Sequence, residues 1–254
     1  MFLKFIIFLA VFAFGFAIVY NWLFEKMYKD RSDEQKKAIR YFIINDVFKQ
    51  VWFINPFVLL ARACKLIPEV VSDNEYDEML SEEIKSLKLR EKALQKIGLD
   101  ESEIKEIAPI TFEGYKFDEY ASNALDNNSF QKRGGDMKWR SSKYEVTWIF
   151  ASNKELYAYS FLFNMTDDTK KERTEEFFWK DITNFSTVTE TKSVGYDWNR
   201  KTKTYKSKKT IDEREFAIAV PGSKYVGAAG TDESVERIIQ GMKTKLREIK
   251  EKNS

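Results

Sequence analysis

Moving a proton or attacking a carbon calls for histidine, cysteine, or acids that converge on one atom. The chain has no histidine. That removes the commonest general base, the usual catalytic dyads and triads, and most zinc or iron sites. Its single cysteine, Cys64, excludes an intramolecular disulfide and a cysteine-rich metal site. The setting of that thiol, "ARACKLI", is that of a small packing residue rather than a nucleophile. Acids occur as adjacent pairs, Asp167–Asp168 and Glu175–Glu176, which read as surface charge. Neighbours in a strand lie on opposite faces, so such a pair does not meet on one substrate atom. A hydrolase working through carboxylates needs a pocket that gathers several acids from separate elements. "GGDM" (134–137) and "GAAG" (227–230) are glycine clusters, but no lysine–serine pair follows the second, and Asp232 and Glu233 repel an anion there. The second reads as a plain turn. No catalytic residue, cofactor or metal is assigned, and the chain is expected to act without catalysis.

What remains is positive charge held among aromatics. "NRKTKTYKSKKT" (199–210) carries Arg200, Lys201, Lys203, Lys206, Lys208 and Lys209 around Tyr205, with no acid. "KRGGDMKWRSSK" (132–143) adds Lys138, Trp139 and Arg140. Each lysine or arginine near an anionic lipid surface contributes roughly 1 kcal/mol, so these residues are candidate contacts for anionic headgroups. Two solvated loops have the same composition. A protein partner is the other expectation. Nucleic acid is not expected: 42 lysines and arginines face 40 acids, a net charge of +2, and no recognised motif is present.

The elements that must carry these residues begin with an apolar run. "FIIFLAVFAFGFAIVYNWLF" (5–24) has the length of a bilayer core at ~1.5 Å per residue, with Tyr20 and Trp22 at its far end. The expectation is a single-pass anchor over 1–25 in the cell membrane. Lys26, Lys29, Arg31, Lys36, Lys37 and Arg40 after it place the C-terminal domain in the cytoplasm. Cleavage of the segment as a signal peptide is the alternative, leaving a secreted or surface-attached, extracytoplasmic binding domain. Residues 26–108 read as a helical juxtamembrane stalk. "SDEQ" (32–35) opens a helix capped by Ser32 or Asp33. Within 42–61, Asp46 and Lys49 offset the apolar gain, which favours an interfacial or packed helix, broken near Pro56, over a second span. Leu80, Ile84, Leu87 and Leu94 recur at helical spacing, Gly98 stops that run, and Asp100 with Glu103 forms a capping box.

From residue 110 the apolar period falls to two. "ITFEGYKF" (110–117) is a strand, and "YEVTWIFAS" and "LYAYSFLFNM" form a hairpin. "RTEEFFWKDI" and "NFSTVTET" give two more strands, and the basic strip joins strands near 190–198 and 210–220. "TDESVERIIQGMKTKLREIK" is a helix capped at Thr231, with Val235, Ile238, Ile239, Met242, Leu246 and Ile249 as its apolar stripe.

This order of elements, with "FFWKDITNFSTV" (177–188) as mid-domain strands and "FAIAVPG" (216–222) before the last helix, resembles the pleckstrin-homology-like superfold, including bacterial and GRAM-type members. The resemblance covers about 109–250. It implies an α+β chain whose 109–254 domain is an antiparallel β-barrel or sandwich capped by a C-terminal amphipathic helix. It also implies ligand binding, with basic hairpins that often meet anionic headgroups. The stretch from "KALQKIGLDESEIKEIAPITFEGY" to "ERIIQGMKTKLREIK" is similar to bacterial membrane-anchored proteins of uncharacterised activity. Fold does not fix function within this superfold.

Overall fold

Ser32 opens the first long helix through a reciprocal cap: Gln35 N–H donates to its hydroxyl at 3.2 Å, and its own N–H donates to Gln35 Oε1 at 3.0 Å. The computed structural model describes residues 11, 15, 18–19, 21–50, 71–98, 109–118, 129–199, 204–230 and 233–252, with backbone alone at 44–50, 193–199, 204–209, 233–234 and 252. They fall into two units, one comprising 1–80 with 165–167, the other 81–164 with 168–254.

In the first unit, helix α1 (Asp33–Gln50) buries Ala38, Ile39, Tyr41 and Phe42. Tyr41 stacks on Tyr76 at 4.3 Å, at the start of α2 (Asp73–Ser86), and its hydroxyl donates to Asp73 at 2.9 Å. The expected span at 5–24 lies mostly outside the described residues. Where it is described, a continuous helical stretch covers only 21–27, roughly 10 Å, and it includes Glu25 and Lys26. Among the described residues no helix is long and apolar enough to cross a membrane. The single-pass anchor, and the cell-membrane location with a cytoplasmic domain that rested on it, are therefore not supported. Of the stretch 42–61, residues 42–50 belong to α1, while Pro56, like the capping box at Asp100 and the cap at Thr231, lies outside the described residues.

The second unit is mostly sheet. Helix α3 (Leu89–Ile97) ends at Gly98, whose left-handed backbone (φ 75°) returns its N–H to Leu94 O. Among the described residues nine strands follow: β1 (Ile110–Lys116), β2 (Gln131–Arg133), β3 (Trp139–Ser141), β4 (Lys143–Ala151), β5 (Glu155–Asn164), β6 (Lys170–Phe178), β7 (Asn184–Asn199), β8 (Thr204–Val220) and β9 (Ser223–Ala228). They form three antiparallel sheets, in the orders β1-β4-β5-β6, β2-β3 and β7-β8-β9, before the last helix, α4 (Glu233–Lys252). An anchored α+β chain on a helical stalk is thus corrected to a chain dominated by three antiparallel sheets, with few helices. Helix α3 lies against strands β5 and β6: Lys92 Nζ sits 5.3 Å over the Phe161 ring and Lys96 pairs with Glu172 at 3.1 Å.

Strands β4 and β5, at the middle of the four-stranded sheet, are buried on both faces because they are apolar at both parities, whereas β6 is mostly exposed. Ile149, Ala151, Leu156 and Ala158 face the main core with Phe112, Phe185, Phe216 and Ile218. Tyr144, Val146, Phe150, Tyr159, Phe161 and Phe163 occupy the opposite face and are buried as well. Helix α4 lays Val235, Ile239, Met242 and Leu246 into the main core, with Ile238 and Ile249 at its margin. The "FFWKDI" stretch is not continuous strand. Trp179–Asp181 is a 3-10 turn between the two large sheets, fixed by Trp179 Nε1 donating to Ser152 O at 2.9 Å.

Candidate functional site

Strands β7 and β8 are 16 and 17 residues long and stay in one unbroken register from Asn184↔Ala219 to Asn199↔Thr204. Their β-branched threonines and valines favour extended backbone over any helical alternative. Strand β9 pairs only with Glu215–Val220, so beyond Arg214 the two strands have each other as ladder partners among the described residues. From Thr189↔Arg214 to Asn199↔Thr204 this two-stranded ribbon runs roughly 35 Å at ~3.4 Å per residue. The basic strip is therefore mainly strand: Tyr205, Lys206, Lys208 and Lys209 lie in β8, while Arg200, Lys201 and Lys203 lie outside the described residues.

The root of the ribbon is braced by charge. Lys116, at the end of β1, places Nζ 2.6 Å from Glu215, 2.9 Å from Glu213 and 3.9 Å from Glu145. Lys192 on β7 reaches the other oxygen of Glu213 at 2.5 Å and donates to Phe117 O at 3.3 Å. The Glu213 side chain is 1% exposed, so its charge is tolerated only because two ammonium groups flank it. Glu213 lies opposite Glu190 in the ladder, and the contacts to its oxygens are ion pairs rather than aligned hydrogen bonds. Burial works to lower the pKa of Lys116, but Glu215, Glu213 and Glu145 outweigh it and hold the ammonium above its ordinary value. Burial raises the Glu145 carboxyl, against the Ala228 N–H that donates to it at 2.7 Å and the charge of Lys116. Beside this group Asp118 takes Lys143 at 2.7 Å and the Ser129 hydroxyl at 2.5 Å. Burial raises its carboxyl too, yet those two partners, with Lys192, bring it below its ordinary value.

A small apolar cluster completes the root. Ile211 on β8 and Phe117 are buried together, with Tyr115 and Trp139 against them. Trp139, expected at an interface, is thus part of the brace. Arg140 is buried at 2%, and its guanidinium forks onto both oxygens of Asp136 at 2.9 Å. Its charge is committed inside the β2–β3 hairpin and is not presented to a surface. Lys138, between Asp136 and Trp139, is exposed. The second basic stretch is therefore split, while Lys206, Lys208 and Lys209 of the first are carried on the ribbon.

The Arg140 hydrogen bonds hold the Asp136 carboxyl at about 2, below its ordinary 3.8. A depressed carboxylate stabilises the fold above its unfolded pKa, and that contribution is lost as pH falls from 3.8 through about 2. The Asp136 carboxyl carbon shift should titrate with a midpoint near 2, and Arg140→Gln should return it toward 3.8. A wild-type midpoint near 3.8 would show the hairpin pair to be open in solution.

Acids from separate strands do converge here, but on lysines. Glu145, Glu213 and Glu215 share Lys116, so the arrangement braces two sheets. Among the described residues no group of histidine, cysteine or acidic side chains is placed to hold a metal ion. Glu175 and Glu176 lie on opposite faces of β6, with Glu175 paired to Arg173 at 3.1 Å. Asp167 is buried rather than on the surface. "GAAG" begins inside β9, not in a turn: a Cβ on Gly227 would fall 2.4 Å from Phe216, so close packing requires this glycine. The ion cluster escaped sequence reasoning because Lys116 and Glu215 stand 99 positions apart, and single charges in alternating strands look like a solvated face. No family model, curated protein or solved structure matches the chain.

Proposed function

We propose that the chain is a non-catalytic binding module, of pleckstrin-homology-like character, that docks on an anionic lipid surface through the β7–β8 hairpin. The observation that carries this reading is the ribbon itself. A cationic segment held only as a loop would bend away from any surface. Here the part of it that holds Lys206, Lys208 and Lys209 continues a paired ladder whose root is clamped by Lys116, Lys192 and the Ile211–Phe117 contact. Six cations at roughly 1 kcal/mol each set an upper bound on the attraction, and screening and partial reach reduce it to about half.

Sedimentation of the full chain with phosphatidylcholine vesicles, with and without phosphatidylserine, tests this. At low salt the chain should pellet with the anionic vesicles and stay in solution with the neutral ones. Changing Lys201, Lys203, Lys206 and Lys208 together to glutamine should abolish pelleting and leave Tm unchanged. Equal behaviour with both vesicle types would dismiss the lipid reading and turn attention to a protein partner.

A further inference from the structure

Strand β6 is an edge of the four-stranded sheet, and its outer row of main-chain groups has no partner among the described residues. At one end of the β5–β6 ladder Asn164 N–H donates to Thr169 O at 3.1 Å, and at the other Trp179 N–H donates to Lys154 O at 3.1 Å. Odd-numbered residues of β6 therefore turn their N–H and C=O toward β5, while Lys170, Glu172, Thr174, Glu176 and Phe178 turn theirs outward. The opposite edge, β1, is covered: a Cβ on Gly114 would lie 3.3 Å from Ala229 O, just past β9. Exposed edges are ordinarily blunted by proline, a bulge, short length or charge. Strand β6 has nine residues, no proline, and an unbroken register from Phe163↔Lys170 to Glu155↔Phe178. Charge remains, and it is sorted by sign.

We infer that β6 pairs antiparallel with β6 of a second copy of this chain, about a two-fold axis at Arg173, so that two four-stranded sheets join into one. Lys170, Lys171 and Arg173 occupy the first half of the strand and Glu175 and Glu176 the second, and all but the half-buried Glu175 are exposed. An antiparallel copy lays the basic half of each strand against the acidic half of the other, and a parallel one does not. Charge also selects the register. About Arg173, Lys170 opposes Glu176 and Lys171 opposes Glu175, each twice by symmetry. The single like pair, Arg173 with itself, is offset by Glu175 of the same chain at 3.1 Å. About Thr174, Glu172 would oppose Glu176 twice. About Glu172, Lys171 would oppose Arg173 twice. In the Arg173 register the outward groups of Lys170 and Glu176, and of Glu172 and Thr174, exchange main-chain hydrogen bonds. Phe178, 47% exposed at the end of the strand, then lies diagonal to Lys170 of the second copy, whose stem covers the ring.

Analytical ultracentrifugation of the full chain, without lipid, reads the association directly. The wild type should sediment as a concentration-dependent dimer. Lys170→Glu with Lys171→Glu, and separately Glu175→Lys with Glu176→Lys, should each raise the dimer dissociation constant by at least about tenfold, because the opposed pairs become like-charged. An equimolar mixture of the two double variants should dimerise again, since each of those pairs is then of opposite sign. Thr174→Pro, which removes an outward N–H and no bond to β5, should give a monomer with the wild-type Tm. A wild type that stays monomeric up to its solubility limit overturns the pairing. So does a dimer that survives both charge reversals, or a mixture in which the two variants do not associate.

Discussion

Replacing Lys116 by methionine should cost about 3–5 kcal/mol of unfolding free energy, the range for breaking a buried ion pair from one side. Without Lys116 Nζ, Glu215 and Glu145 lose the cation at 2.6 and 3.9 Å, and Glu213, 1% exposed, keeps only Lys192. Three carboxylates then repel one another where water reaches them poorly. The penalty comes from stranding the acids, not from any large net worth of the intact cluster. The double variant Lys116→Met with Glu213→Leu should therefore recover much of the loss, since an apolar pair of similar volume is often neutral in place of a buried ion pair. Urea midpoints for the two singles and the double give the coupling directly. A single lysine variant with the wild-type midpoint would show that the cluster is solvated and braces nothing.

Ile239→Asp should unfold the second unit outright. Ile239 is 1% exposed, in the middle of the α4 stripe that closes the main core. A carboxylate placed among apolar side chains has no partner, and either its ionised form or the proton it must take up costs several kcal/mol. A domain holds only ~5–15 kcal/mol in total, so that loss is close to decisive. Ile239→Val should cost about 0.5–1.5 kcal/mol, which separates the effect of charge from that of lost volume. Lys243→Glu, one turn further along the helix, should stay within about 0.5 kcal/mol. Circular dichroism melts rank the three. Comparable melting of Ile239→Asp and wild type would place α4 outside the core.

The residues that were legible from sequence are those whose burial imposes a period. Val235, Ile239, Met242 and Leu246 recur at spacings of four, three and four, and the structure buries all of them. The alternation through Tyr144, Val146, Trp148 and Phe150 marked strand β4 equally well. It did not reveal that Ile149 and Ala151, between and beyond them, face the main core, because a sheet covered on both sides has no polar parity to mark its outside. The outer part of β8 was opaque for the opposite reason. From Thr204 to Thr210 lysine, serine and threonine surround Tyr205 without an apolar period, so strand and loop look alike. The "FFWKDI" run, read as continuous strand, hid the 3-10 turn at Trp179, a residue whose indole hydrogen bond to Ser152 joins positions 27 apart. The ion cluster depended wholly on tertiary pairing, and no local pattern announces it.

The unbroken register of β7 and β8 also restricts how this chain can change length. Partners along the ribbon keep the same pairing from root to tip, so root and tip stay in phase only while each strand keeps its parity. One residue inserted between Lys192 and Tyr196 would either force a bulge or move Tyr196 and Trp198 to the face opposite the ion cluster. Two residues added to each strand would lengthen the ribbon and keep that phase. Within the ribbon, only paired, even insertions are therefore tolerated.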